Sequence, residues 1–216
     1  MTGDIEGDAT GLRSTVIKRT NKYYQDGIKH LEQKMKIKDK VYRIWVRLLG
    51  IKERKTGKLL IHPIDHKICQ VTAKPPPESA AEIEASGLLN QIKKPARLHS
   101  DGAPAWPAQV RGKAHTANVV HSKKQYTRDL ADHEAVRGLS KMTGTQMVDR
   151  NWKTLCNSFI PDAIHAKVRQ SGGDTQINEN LFTYCWAFVL RHNLDEASKE
   201  NLWEALGKVH QAWYAL

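Results

Sequence analysis

Apolar and polar positions are most sharply organised over Lys40-Val41-Tyr42-Arg43-Ile44-Trp45-Val46-Arg47-Leu48-Leu49-Gly50-Ile51, a run rich in β-branched and aromatic residues that predicts a strand. Lys55-Thr56-Gly57-Lys58 supplies turn chemistry, and Leu59 to Ile64 reads as the hairpin partner, with a further extended segment around Ile68 to Val71. Before this hairpin, Asp4 to Leu12 alternates loosely and predicts a short strand. Residues 13–40 are basic and weakly periodic, which predicts a long loop with one helical turn group near Ile28 to Met35.

Pro75-Pro76-Pro77 excludes a helix interior or a central strand. Beyond it, acids in the first turn predict a helix from Glu78 to about Ile92. Ala96 to Ser100 reads as a short strand ending at Asp101, Pro104 to Val110 as a short helix stopped by Gly112, and His115 to Ser122 as another strand. Val148, Trp152, Leu155 and Phe159 fall on one helical face that Pro161 ends. Past the Gly172-Gly173 loop, Ile177, Leu181, Tyr184, Cys185 and Phe188 stripe one helix, and Leu202, Leu206, Val209 and Trp213 stripe another. The last stripe packs either within the chain or against a second copy, as in a homodimer.

This order predicts an α/β fold with an antiparallel start and a parallel continuation. An RNase H-like mixed sheet with antiparallel first strands, flanked by helices and followed by C-terminal helices, satisfies it, as does a generic α/β sandwich. The expected division is a catalytic domain over 1–170, including the basic loop 13–40, and a helical extension over 171–216 packed on the same domain.

The length of 216 residues suits one large domain. No apolar run approaches the roughly 20 residues that cross a bilayer, and the polar, acidic start is unlike a signal peptide. With three widely separated cysteines, Cys69, Cys156 and Cys185, the expectation is reduced thiols in an intracellular protein without a membrane partner, nuclear if the source is eukaryotic. The net charge of +11 is concentrated from Arg13 through Lys58. Charge of that sign attracts polyanions, of which nucleic acid is the commonest inside cells, although a solvated basic surface has the same composition.

Three acids stand in different settings: Asp8 in the alternating run Asp4-Ile5-Glu6-Gly7-Asp8, Asp101 at a strand end, and Asp149 on a helix. Carboxylates on neighbouring strands, joined by a third from a packed helix, are the hard oxygen ligands that two divalent cations need for phosphodiester chemistry. Each acid also has a plainer reading. Asp4, Glu6 and Asp8 share the period of a solvated strand face, Asp101-Gly102 is a common turn dipeptide, and Asp149 stands four residues before Lys153 as in a surface ion pair.

The motifs around these acids, in this order, resemble the catalytic domain of insertion-sequence transposases and their Merlin-type relatives, a DDE class with an RNase H-like fold. Ile5-Glu6-Gly7-Asp8-Ala9-Thr10 resembles the family's first strand motif, and His99-Ser100-Asp101-Gly102-Ala103 the segment of its second acid. Val119-Val120-His121-Ser122-Lys123-Lys124-Gln125-Tyr126 is similar to the hallmark between second and third acids. Gly144 to Trp152 resembles the third-acid motif, and Phe188-Val189-Leu190-Arg191-His192-Asn193 the closing motif. The chain departs from the pattern in having Asp149 for a Glu, Ala9 for an acid and Gln146 for an Asn.

The resemblance implies a DDD-type enzyme in which Asp8, Asp101 and Asp149 are catalytic and hold two Mg2+ or Mn2+ ions, with transposon ends and target DNA as partners. Lys123, Lys124, Arg128, His121, Arg150 and Lys153 are the candidate DNA contacts. Trp152 fits core packing better than a base platform, since it shares a stripe with Val148 and Leu155. The alternative expectation is a catalytically inactive, transposase-derived DNA-binding protein; a third is a related nuclease acting on RNA.

Overall fold

The computed structural model describes residues 1–194 apart from 37, 111, 113 and 171–173. Within them the protein is mixed α/β. Five strands, β1 (Gly3–Lys18), β2 (Val41–Glu53), β3 (Leu59–Cys69), β4 (Ala96–Ser100) and β5 (His115–Asn118), form one sheet in the order β3-β2-β1-β4-β5. The first three strands are antiparallel, and β4 and β5 continue parallel to β1. Two short hairpins, β6 (Thr127–Asp129) with β7 (Met142–Gly144) and β8 (Lys167–Arg169) with β9 (Thr175–Ile177), lie outside it.

The sheet's two faces carry separate cores. On one, α2 (Ala80–Ala85) and α3 (Ala105–Val110) cover Ile5, Leu49, Ile51 and Leu98, with Ile83 and Trp106 fully enclosed. On the other, α1 (Gln25–Met35), α4 (Gln146–Thr154) and α5 (Asn180–Asn193) cover Tyr42, Ile44, Val46 and Leu48 through Ile28, Val148, Trp152, Leu181 and Phe188. A side chain of this size contributes about 1.5–3 kcal/mol on full burial, so both faces are strongly specified. Among the described residues no helix is long and apolar enough to cross a membrane.

Several expectations are corrected. Residues 13–40 are not a loop: β1 continues to Lys18 and α1 occupies much of the rest. The reason is a bulge between Gly11 and Arg13 that changes which residues face the core, from even positions such as Leu12 to odd ones such as Thr15 and Ile17. The helix expected from Glu78 to Ile92 breaks after α2. Gly87 takes a left-handed φ of +67°, and Leu88–Gln91 forms a separate 3-10 turn. The strand expected to run to Ser122 ends at Asn118, so His121 lies in a 3-10 turn, His121–Lys123. Ile177 belongs to β9 and not to the helix that follows. The stripe from Leu202 to Trp213 lies outside the described residues.

The closing motif has a structural task. The Asn193 side-chain amide both accepts from Leu59 N and donates to Leu59 O, each at 2.7 Å, while His192 bonds the carbonyl of Gly57 at 3.0 Å. Asn193 thereby occupies backbone groups of the edge strand β3 and fixes the end of α5 to the β2–β3 hairpin.

Candidate active site

On the α4 side of the sheet, the end formed by β1 and β4 is polar instead of apolar. Asp4, Glu6 and Asp8 point to this side from β1, and Arg97 and His99 from β4, with Asp4 paired to Arg97 and Glu6 to His99. The paired register ends at Glu6 and His99; extended by two residues it would set Asp8 abreast of Asp101, just past the end of β4. Neighbouring strands lie about 4.8 Å apart, and the influence of the Asp101 charge on Asp8 agrees with such a placement. Gly102 follows with a φ of +87°, where a Cβ would meet the Val119 carbonyl at 2.8 Å. Asp101 Oδ1 closes the turn by accepting from Ala103 N at 3.1 Å.

Asp149 arrives on α4, which is anchored from below. The helix has no capping side chain of its own at Thr145. Instead Glu6, enclosed beneath it, accepts through Oε2 from Met147 N at 2.8 Å and from Val148 N at 3.0 Å. Its other oxygen accepts from Arg54 Nε at 2.9 Å, and Arg54 also donates to the carbonyls of Met142 and Gly144, both at 2.8 Å. A carboxylate at a helix N-terminus satisfies free N–H groups and the positive end of the helix dipole together. Glu6 therefore sets where α4, and with it Asp149, sits over the sheet.

Beside this anchor, Lys52 is buried opposite Glu6 and donates to Asn151 Oδ1 at 2.9 Å. Burial pushes its ammonium below the usual lysine range, while Glu6 acts in the opposite direction. Behind it, His99 is fully enclosed, with Nδ1 2.9 Å from Thr143 Oγ1 and Nε2 2.8 Å from Asp4 Oδ1. Burial, reinforced by Arg54, holds His99 down at about 4 and hence neutral at pH 7. It accordingly donates to Asp4 and accepts from Thr143, and Asp4 in turn accepts from Ser140 N at 2.7 Å. Arg97 donates to the carbonyls of Ser140 and Glu134. This buried polar set fastens the 134–145 segment over the sheet.

At the end of this framework Asp8 lies within electrostatic reach of the other two candidate acids. Burial first, then the charges of Asp149 and Asp101, push the Asp8 carboxyl well above the usual carboxylate range; Ala9 N–H and the Trp152 indole act against them. Each acid is turned to a donor of its own. Asp8 Oδ2 accepts from Trp152 Nε1 at 2.9 Å, Asp101 from Ala103 N, and Asp149 Oδ2 from Thr145 Oγ1 at 3.2 Å. Among the described residues no three His, Cys, Asp or Glu side chains are gathered into a group that could hold a metal ion. The acids thus share one electrostatic environment without forming a ready-made cluster.

His121 joins the site through Thr145, whose hydroxyl lies 3.3 Å from His121 Nε2. Because that hydroxyl gives its proton to Asp149, it accepts from His121, which places the imidazole proton on Nε2. Of the candidate DNA contacts, Lys123 and Lys124 are exposed beside His121, and Arg150 and Lys153 are exposed on α4. Arg128 differs. Its guanidinium makes a two-pronged pair with Glu134 at 2.8 and 2.9 Å and donates to Asn118 O at 3.0 Å, which commits it to holding the fold. Comparison with known proteins gives no matching family model, curated protein or solved structure.

Glu6, Lys52, Arg54, His99 and Thr145 went unrecognised as parts of this site in the sequence. Glu6 carried a signal, since it shares the period of Asp4 and Asp8 and stands in the first strand motif. Lys52 and Arg54 carried none, because their partners are brought to them only by the sheet.

Proposed function

We propose that this chain is the catalytic domain of a DDD-type DNA transposase, with an RNase H-like fold and Asp8, Asp101 and Asp149 as its acidic triad. The observation that carries the reading is the half-buried Asp8 carboxyl, which feels the negative charges of Asp149 and Asp101 from two other elements. Like charges brought together in this way are unfavourable unless a cation offsets them. The sheet's antiparallel start and parallel continuation support the RNase H-like reading.

The donor set suits Mg2+ or Mn2+, which prefer carboxylate oxygens. Such ions, when bound by Asp8, Asp101 and Asp149, supply charge neutralisation and activation of the attacking oxygen. The chain's own contribution is placement. Glu6 and Arg54 fix the helix that brings Asp149, Trp152 orients Asp8, and the turn closed by Asp101 and Gly102 fixes the second acid. Lys123 and Lys124 next to His121, and Arg150 and Lys153 on the helix of Asp149, are exposed cations that a DNA phosphate backbone would meet. In the proposed reaction, hydrolysis at the element's end frees a 3′ hydroxyl, which then attacks target DNA.

The test is nicking of supercoiled and oligonucleotide DNA with Mg2+ or Mn2+, against chelator and the Asp101→Asn variant. Metal-dependent nicking lost in Asp101→Asn supports the proposal; DNA binding without nicking in either metal removes it. The inactive, DNA-binding reading draws on the separate donors that hold the three carboxylates. It predicts salt-sensitive binding indifferent to chelator and to Asp101→Asn.

A further inference from the structure

In the loop that follows the His121 turn, an aromatic ring is left open to solvent. Tyr126 is 54% exposed, and its ring centroid lies 5.3 Å from that of His121 at a tilt of 42°. The loop presenting it is closed on itself: Gln125 N donates to Val120 O, Val120 N donates to Gln125 Oε1, and Lys123 N and Lys124 N donate to the carbonyls of Val120 and His121. Lys124 ends the turn with a left-handed φ of 57°, uncommon for a residue other than glycine. On the other side Gly144, paired with Thr127, lets the backbone close in; a Cβ there would stand 2.9 Å from Tyr126 O.

Through His121 and Thr145 this ring is linked to Asp149 by a run of direct contacts. Exposed Lys123 and Lys124 precede it by three and two residues in the same loop. An exposed aromatic ring with cations close by in the chain is the combination that holds an unpaired base, the ring stacking on the base and the lysines meeting its phosphates. We propose that Tyr126, backed by His121, is the stacking platform for an unpaired nucleobase next to the phosphodiester that the acids address. This rests on the transposase reading for the identity of the strand. It goes beyond it in assigning an element that recognises a frayed or distorted DNA end.

The experiment uses a duplex with a frayed end carrying 2-aminopurine at an unpaired position, titrated with the full chain in chelator so that binding is read apart from cleavage. Wild type and Tyr126→Phe are expected to quench the fluorophore on binding. Tyr126→Ala is expected to bind on the order of tenfold more weakly and to lose the quenching of the bound complex, with an unchanged circular dichroism spectrum. Lys123→Ala with Lys124→Ala should weaken binding and its salt dependence while leaving quenching at saturation intact. Equal affinity and equal quenching in Tyr126→Ala overturn the platform, whatever the nicking assay gives. Quenching that depends on Tyr126 in a protein that never nicks DNA leaves the platform standing and removes the catalytic reading.

Discussion

Trp152 donates its indole N–H to Asp8 over 2.9 Å, and it reaches that carboxylate because Gly50, the β2 partner of Asp8, has no side chain. A Cβ built on Gly50 would meet the Trp152 ring at 2.4 Å. The ring is in the core with Val148 and Leu155, so it has nowhere to retreat. One missing methyl group thus links the packing of the second core to the orientation of the first acid.

Gly50→Ala is therefore expected to destabilise the protein by about 1–3 kcal/mol, the usual range for overpacking a well-filled interior. A fall in the urea midpoint at constant m-value, with altered tryptophan fluorescence, is the expected result. An unchanged midpoint would show that α4 can lift off the sheet at no cost.

Asp8→Asn tests the electrostatics directly. The amide keeps an acceptor for Trp152 but removes the charge facing Asp149 and Asp101, so the metal-free protein is expected to melt at a higher temperature than wild type. Any stabilisation of the wild type by Mg2+ or Mn2+ should be lost or sharply reduced in the variant. A variant that melts lower without metal would mean that the Asp8 charge is already compensated within the chain.

Glu6 and Arg54 should behave as one unit. Glu6→Ala leaves the buried end of Arg54 and two N–H groups of α4 without their acceptor, a change expected to cost about 3–5 kcal/mol; Glu6→Gln, which keeps an acceptor, should cost less. In a double-mutant cycle with Arg54→Ala, the two losses should fall well short of additive. Additive losses in chemical denaturation would contradict the shared role.

How far these relationships were legible in the sequence depends on their range. The β2–β3 hairpin was written in consecutive residues, with β-branched and aromatic runs around a Gly57 turn, and the short strand before Asp101 was equally local. The extent of β1 was hidden because the bulge at Gly11/Arg13 breaks the alternation by which a strand is recognised. Two small hairpins escaped notice because segments of three residues leave no period to detect. For the candidate site, Asp8, Asp101 and Asp149 stood out in the sequence through the local runs that carry them. The groups that orient them did not. Arg54 and Trp152 owe their roles to partners far away in the chain, and such pairings exist only once the sheet has formed.

The last prediction concerns acid. His99 is held at about 4, chiefly by burial, against about 6.5 for an unperturbed histidine. As pH falls through 6.5 the unfolded chain takes up a proton at this site while the folded one does not. Stability is therefore lost progressively between pH 6.5 and 4, by up to about 3 kcal/mol. Glu82 works in a lower window. Although burial opposes its charge, hydrogen bonds from Arg47, Lys67 and Ser79 hold it down at about 2, so its contribution is complete above about pH 4.5 and disappears as pH falls through 2. His62 and His66, also lowered by burial, add to the upper window. In urea unfolding across pH, His99→Gln should flatten, without abolishing, the decline between pH 6.5 and 4 and leave the lower limb intact. Glu82→Gln should do the reverse. If His99→Gln leaves the upper limb unchanged, the enclosed imidazole between Asp4 and Thr143 is protonated in the folded protein, and its assignment as a neutral donor to Asp4 falls.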